Sequence, residues 1–244
     1  MFFSSDNVTI FILNLKDLRV CVPLLTMYLS DAEKEKAKKF LFDYLKEDYL
    51  ISHGILRILL SQYLSCAPFD VQYVYNDFQK PFCKNNPKLH FNISHSKDVI
   101  CYAFSYDHEI GIDIEFMDNK IPIKNLCSLI ASQKELKIYN KVNKDKVYLF
   151  YKLWTLKEAF LKALGTGLSR SPSNIETTIL PKEIFKVIQM RDSEEEIKKN
   201  WTFCPLHTLP NYLGAVAVRK KNAFVNIINL TSSQAFFSKG ILNS

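Results

Sequence analysis

A chain of 244 residues with 48% hydrophobic and 13% aromatic residues can bury a sizeable core, which excludes a disordered polypeptide and predicts one large domain or two small ones. Its formal charge of +7 favours an acidic partner without choosing among nucleic acid, an anionic nucleotide and an acidic protein. The six glycines build no phosphate-cradling loop, the six cysteines make no CxxC pair or zinc spacing, and no run approaches the ~18 apolar residues of a membrane span.

Val8 to Leu15 reads as an opening strand, and Ser30-Asp31 as a helix start with Phe40, Leu41 and Tyr44 turned inward. Asp48 to Tyr63 continues as an apolar helix carrying Arg57, ended by Ala67-Pro68, and Val71 to Tyr75 is a short strand. The stretch from Asn76 to Lys88, with Pro81 and Pro87, is predicted to be a loop. Leu89 to Ile93 is a strand running into a polar turn, Ser94-His95-Ser96-Lys97, and Val99 to Ser105 is a strand closed by the turn Asp107-His108. Cys101 inside this apolar run reads as a buried thiol, which with the other unpaired cysteines points to a reducing, cytoplasmic setting.

Glu109 to Glu115 follows as an acidic strand. Ile112 and Ile114 alternate with Asp113 and Glu115, so the two acids share one face and the isoleucines point into a core. Ile123 to Asn143 reads as helical, and Lys146 to Leu164 is the strongest helix, stopped by Gly165 and Gly167. The remainder to about Leu230 mixes strand signals with a charged insert at Arg191 to Lys199, and a tail follows. Two apolar strands that each follow a polar segment, Val99 to Ser105 and Leu213 to Val218, form a faint internal echo.

Alternating acids are often no more than the solvent face of a half-buried strand, and a lone Ser-His-Ser is more often a turn than a ligand site. The helix from Lys146 is harder to dismiss, because Trp154, Glu158 and Lys162 stack at i, i+4 and i+8 on one stripe. Two neighbouring carboxylates repel, so a cation is expected between Asp113 and Glu115, with Glu158 as a third acid. Oxygen donors without His or Cys suit a hard ion such as Mg²⁺ beside substrate phosphates.

Four motifs in order carry a resemblance: Lys80-Pro81, then Phe91-Asn92-Ile93-Ser94-His95-Ser96, then Gly111-Ile112-Asp113-Ile114-Glu115, then Trp154-Thr155-Leu156-Lys157-Glu158-Ala159 with Lys162 and Gly165-Thr166-Gly167-Leu168. Together they resemble the 4′-phosphopantetheinyl transferase superfamily, in its larger Sfp-type branch, over roughly Ser30 to Leu168. The resemblance implies an α+β fold of two similar α/β subdomains in pseudo-twofold relation, with the active site in the cleft between them. The subdomains would span 1–107 and 108–230, followed by a tail at 231–244. It also implies transfer of phosphopantetheine from coenzyme A to a serine of an apo acyl or peptidyl carrier protein, releasing adenosine 3′,5′-bisphosphate.

Position by position, the resemblance makes Asp113, Glu115 and Glu158 the Mg²⁺ ligands and puts Lys162 on the phosphates. Lys80 and His95 would bind coenzyme A phosphates, His95 the 3′-phosphate, with Ser94 fixing the nucleotide. Glu135, in Ser132-Gln133-Lys134-Glu135, would be the general base. The chain departs from the family where an arginine or lysine is expected after the Asp48-like position; Leu50 and Ile51 stand there, leaving Lys36, Lys46 or His53 as substitutes. The implied partner is an acidic carrier, the implied state a monomer, and neither nucleic acid nor membrane is expected. A Mg²⁺-dependent nucleotide phosphohydrolase and a non-catalytic carrier-binding module are the rival readings.

Overall fold

The structure, a computed structural model, describes residues 7–143, 145–178, 187–190, 200–207 and 209–230. The charged insert expected at 191–199 and the tail at 231–244 lie outside the described residues.

In the first half, the β-branched run Val8–Asn14 forms β1, and α1 (Val22–Met27) turns the chain towards α2 (Asp31–Ala37). Ser30 and Glu33 close a capping box at the start of α2, which satisfies two of the amide donors a helix start leaves unpaired. The long α3 (Asp43–Leu64) stops at Ser65, whose left-handed φ of 51° ends the helical hydrogen bonding. Then come β2 (Tyr73–Tyr75), β3 (Pro81–Cys83), β4 (Leu89–Ser96) and β5 (Val99–Tyr106).

The second half repeats the order. It runs β6 (Ile110–Phe116), α4 (Ile123–Ile130), α5 (Gln133–Lys141), α6 (Lys146–Leu164), β7 (Ile175–Thr177), β8 (Val187–Met190), β9 (Thr202–Leu206) and β10 (Tyr212–Val218). Here too a capping box, Ser132 with Glu135, opens the helix before the long one. Each long helix then buries one cation against the capping-box glutamate, Arg57 on Glu33 and Lys157 on Glu135. A proline-led 3₁₀ turn follows in both halves, at Pro68–Asp70 and Pro172–Asn174. The echo between Val99 to Ser105 and Leu213 to Val218 corresponds to β5 and β10, the closing strands of the two units.

Two main sheets result, one ordered β11-β1-β5-β4 and one β6-β10-β9, with two two-stranded sheets, β2-β3 and β7-β8, beside them. β11 (Val225–Leu230) runs parallel to β1, so the chain returns to the first sheet instead of staying in the half expected to reach residue 230. One face of the first sheet, through Phe11, Leu13, Phe91 and Phe104, packs on α3 residues Ile51, Ile55 and Leu59. Its other face, through Ile10, Ile12 and Cys101, packs on Ile112, Ile114 and Val216 of the second sheet. The far side of the second sheet, through Ala215 and Ala217, carries α6 on Leu156, Ala159 and Phe160. The order of layers is helix, sheet, sheet, helix.

Gly111 lets α6 lie directly on β6. A Cβ there would stand 2.0 Å from the Ala159 carbonyl oxygen and 2.3 Å from the Ala163 nitrogen. Four local expectations are corrected. The stretch from Asn76 to Lys88, expected to be a loop, carries β3, which pairs antiparallel with β2. The helix expected from Ile123 to Asn143 is two, because Ser132 is extended (ψ 164°) and restarts the helix with its own cap. The strand expected to end at Ile93 continues to Ser96, since its polar side chains find partners across the sheet junction. Leu41 and Tyr44 are 87% and 54% exposed, because the chain between α2 and α3 turns outward.

Candidate active site

The polar alternation at the end of β4 joins the two sheets. Asn92 Oδ1 accepts from the Ile112 amide at 2.9 Å, Ser94 Oγ from Ile114 at 3.3 Å, and Ser96 Oγ from Phe116 at 3.1 Å. Side chains at period two on one strand thus satisfy the alternate amides of β6 that no backbone carbonyl reaches. The same hydroxyls hold the acids: Ser94 donates to Asp113 Oδ1 at 2.9 Å and Ser96 to Glu115 Oε2 at 2.8 Å.

From the opposite side the stripe of α6 comes down on the acidic face of β6. Lys162 Nζ donates to Asp113 Oδ1 at 2.7 Å and to Ser94 Oγ at 3.0 Å, and Trp154 Nε1 donates to Glu115 Oε1 at 3.2 Å. Between them Glu158 is only 7% exposed, and Asp113 only 3%. Asp113 Oδ2 and Glu158 Oε1 are buried without a hydrogen-bond partner among the described residues. Burial pushes the Asp113 carboxyl above the usual carboxylate range despite the Lys162 ammonium beside it. The Glu158 carboxyl is pushed up to about 7, first by burial and then by the charge of Asp113.

Three carboxylates therefore share one ammonium, and two orphaned oxygens face an electrostatic deficit of positive charge. Hard oxygen donors in that state match a divalent cation, although among the described residues no three such groups stand as a ready-made cage. A groove of about 420 Å³ opens beside Glu115, lined by Trp154, Tyr151, Phe150, Leu126, Leu129 and Leu168. A second recess, lined by Lys36, Tyr49, His53 and Tyr75, lies on the side of α2 and α3. His95 is exposed on β4, and Lys36 is exposed with its ammonium 5.5 Å from the centre of the Tyr49 ring.

Two expected site residues are engaged elsewhere. Lys80 donates to the carbonyls of Ile110 at 3.1 Å, Lys162 at 2.7 Å and Ala163 at 3.0 Å. An ammonium has three protons, so none remains for a coenzyme A phosphate. Burial lowers its pKa to about 8. With Asn76, which donates to the Gly165 carbonyl at 2.8 Å, Lys80 ties the loop of the first half to the end of α6.

Glu135 is 1% exposed and fully occupied. Its Oε2 accepts from the Ser132 amide at 2.6 Å and from Lys157 Nζ, and its Oε1 accepts from the amide and hydroxyl of Thr177, both at 2.7 Å. Lys157 also donates to the Ile130 carbonyl at 2.8 Å and the Pro172 carbonyl at 3.1 Å, and burial lowers its pKa. A carboxylate with every lone pair directed inward cannot take a proton from a partner's hydroxyl, so the general-base assignment of Glu135 is replaced by a structural one.

Reasoning along the chain missed Asn92, Ser96 and Lys157. Asn92 and Ser96 were signalled by the same period-two alternation that marks Ser94. Lys157 gave no sequence signal beyond its place between Leu156 and Glu158.

Comparison with known proteins agrees with this arrangement. Residues 109–217 match the profile described as the 4′-phosphopantetheinyl transferase superfamily, and residues 22–106 match one described as 4′-phosphopantetheinyl transferase, N-terminal. The 4′-phosphopantetheinyl transferase ffp of Bacillus subtilis is 30% identical over 221 residues, covering 86% of this chain and 91% of its own. HetI of Nostoc sp., a 4′-phosphopantetheinyl transferase, is 29% identical over 194 residues and 78% of each chain. The 4′-phosphopantetheinyl transferase Sfp of Bacillus subtilis is 29% identical over 174 residues, covering 70% of this chain and 71% of its own.

Proposed function

The chain belongs to the 4′-phosphopantetheinyl transferase superfamily, and we propose that it transfers the phosphopantetheine arm of coenzyme A to a serine hydroxyl of an apo acyl or peptidyl carrier protein. The observation that carries this reading is the acid row of Asp113, Glu115 and Glu158, with its two orphaned oxygens, beside Lys162 in the second half and held by Ser94 and Ser96 from the first.

In the reaction the serine oxygen bonds to the phosphorus bearing the pantetheine arm. The bridging P–O bond breaks, and adenosine 3′,5′-bisphosphate leaves with the electron pair. Asp113, Glu115 and Glu158 would hold Mg²⁺, which supplies neutralisation of the pyrophosphate charge. Lys162, one turn beyond Glu158, is placed to follow the negative charge onto the departing phosphate. Ser94 and Ser96 hold the acids in orientation, and Trp154 pins Glu115. With Glu135 buried in its ion pair, the serine proton falls to an acid of the cleft, Glu115 or Glu158. Ser94, His95 and Lys36 lead from the acid row toward the recesses on the α3 side, where the nucleotide is read to lie.

The formal charge of +7 supports an acidic carrier, whose approach it would accelerate. Pairing of the two halves within one chain supports a monomer. Six free cysteines, four of them buried, fit a reducing cytoplasm, and no helix among the described residues is long and apolar enough to cross a membrane.

The test is a mass measurement on apo carrier proteins incubated with the chain, coenzyme A and Mg²⁺. The expected outcome is a gain of one phosphopantetheine on the carrier. Consumption of coenzyme A with every carrier left unmodified would establish hydrolysis and refute the proposal.

A further inference from the structure

Lys162 is a cation already in use. Its Nζ donates to Asp113 Oδ1 at 2.7 Å and to Ser94 Oγ at 3.0 Å, and among the described residues Asp113 is its one ion-pair partner. The two side chains are 26% and 5% exposed, so the ammonium reaches in from the edge of the cleft to an acid sealed beneath it. The Ser94 hydroxyl that accepts from the lysine also donates to Asp113 Oδ1. That oxygen has two donors, while Asp113 Oδ2 has none among the described residues.

Charge counting sets what this contact means. Asp113, Glu115 and Glu158 carry three negative charges when ionised, and one ammonium leaves a deficit that one divalent cation fills. A row balanced in that way has no positive charge left for a pyrophosphate. Among the described residues no other lysine or arginine pairs with the three acids. An ammonium drawn towards the phosphates gives up its hold on Asp113, and that step is unfavourable while Asp113 stays a buried acid with no other cation. A divalent cation removes the obstacle, because it neutralises the same carboxylate and repels the ammonium across it. Lysine suits such an exchange, since a compact charge on a flexible four-carbon stem turns between partners without a fixed fork geometry. Ser94 marks the direction, because it touches the ammonium and also lines the recess that runs towards α3.

We propose that Lys162 is a stored cation gated by the metal: its ammonium rests on Asp113 until a divalent cation takes over that carboxylate, and then passes to the pyrophosphate. The inference rests on the reading above of the acid row as the metal and pyrophosphate site. In the free chain the lysine competes with the metal. In the metal-loaded chain it becomes a ligand of the nucleotide. No covalent bond changes in the exchange; one ion pair replaces another.

The experiment is titration calorimetry of the full chain, wild type and Lys162→Met, with Mg²⁺ alone and with coenzyme A in EDTA and in Mg²⁺. The variant should bind Mg²⁺ alone about tenfold more tightly than wild type. Its affinity for coenzyme A should fall by about tenfold or more in Mg²⁺ and by less than about twofold in EDTA. An unchanged or weakened Mg²⁺ affinity would overturn the inference. Equal losses of coenzyme A affinity in the two buffers would do the same, as the behaviour of a lysine that meets phosphate regardless of metal. Crystal structures of wild type in EDTA and in Mg²⁺ decide the matter without a variant that must fold. The contact with Asp113 is expected in the first and broken in the second, and an ammonium still on Asp113 beside a metal-loaded acid row overturns the inference. These contrary results leave the transferase reading standing, whereas failure of wild type to bind coenzyme A in Mg²⁺ would overturn both.

Discussion

Replacing Glu135 by glutamine separates a catalytic from a structural carboxylate. Wild-type Glu135 and Lys157 form an ion pair with side chains 1% and 0% exposed, closed over by Ser132, Thr177, Ile130 and Pro172. Glutamine keeps the volume and removes the counter-charge, leaving a cation with no solvent. Breaking such a buried pair costs about 3–5 kcal/mol, which for a chain of this size lowers Tm by roughly 6–20 °C. The variant relieves part of that cost by releasing the lysine proton, whose hold is already weakened by burial.

The proton release gives a signature with a definite sign. With Lys157 neutral in the native variant and protonated in the unfolded chain, the unfolded state binds one more proton. Stability of Glu135→Gln should then rise with pH by up to about 1.4 kcal/mol per unit below the ordinary lysine pKa. Differential scanning calorimetry between pH 6.5 and 9 measures it, with transfer kinetics at 20 °C on the folded fraction. The structural assignment predicts a depressed, pH-rising Tm and kcat within about fivefold of wild type, whereas loss of a general base removes about 10²–10⁴ in rate. An unchanged Tm with abolished kcat would refute the reasoning.

Glu158→Gln should abolish transfer and yet raise stability in EDTA at pH 8 by about 1–3 kcal/mol, because the folded pKa of about 7 lies above the unfolded one and the ionised, buried acid is a native-state penalty. In wild type without metal this penalty grows between about pH 5 and 7, and Mg²⁺ should cancel it; melting curves that show no difference between EDTA and Mg²⁺ would count against the acid row as a cation site. Gly111→Ala places a methyl against the backbone of α6 and should destabilise by at least about 3 kcal/mol in urea titration, with activity lost through displacement of Glu158 and Lys162. Lys80→Met should lower stability by about 2–3 kcal/mol while leaving KM for coenzyme A within about threefold, the reverse of what a phosphate ligand would show.

Much of the site was legible before any coordinates. Alternation placed Asp113 and Glu115 on one face of a strand, and helical spacing put Trp154, Glu158 and Lys162 on one stripe; both are properties of a single element and follow from its period. The same local rules identified Ser30 and α6 at its observed boundaries, and in Ser94 they marked one rung of the ladder between the sheets. They misplaced Leu41 and Tyr44, since an apolar residue at a helix exit carries no mark of whether the chain turns in or out.

Side-chain identity alone determined that this chain has an acidic strand and a stripe to meet it, while the doubled order of elements came in sequence only from the family resemblance. Only the tertiary structure decided which charges are spent and which are free. Glu135 and Lys80 look in sequence like Glu158 and Lys162, a carboxylate and an ammonium near a motif. The difference between the pairs lies in what closes around them, Thr177 and Lys157 from distant segments in one case and the carbonyls at the end of α6 in the other. Hydrogen-bond saturation depends on groups many residues away in the chain.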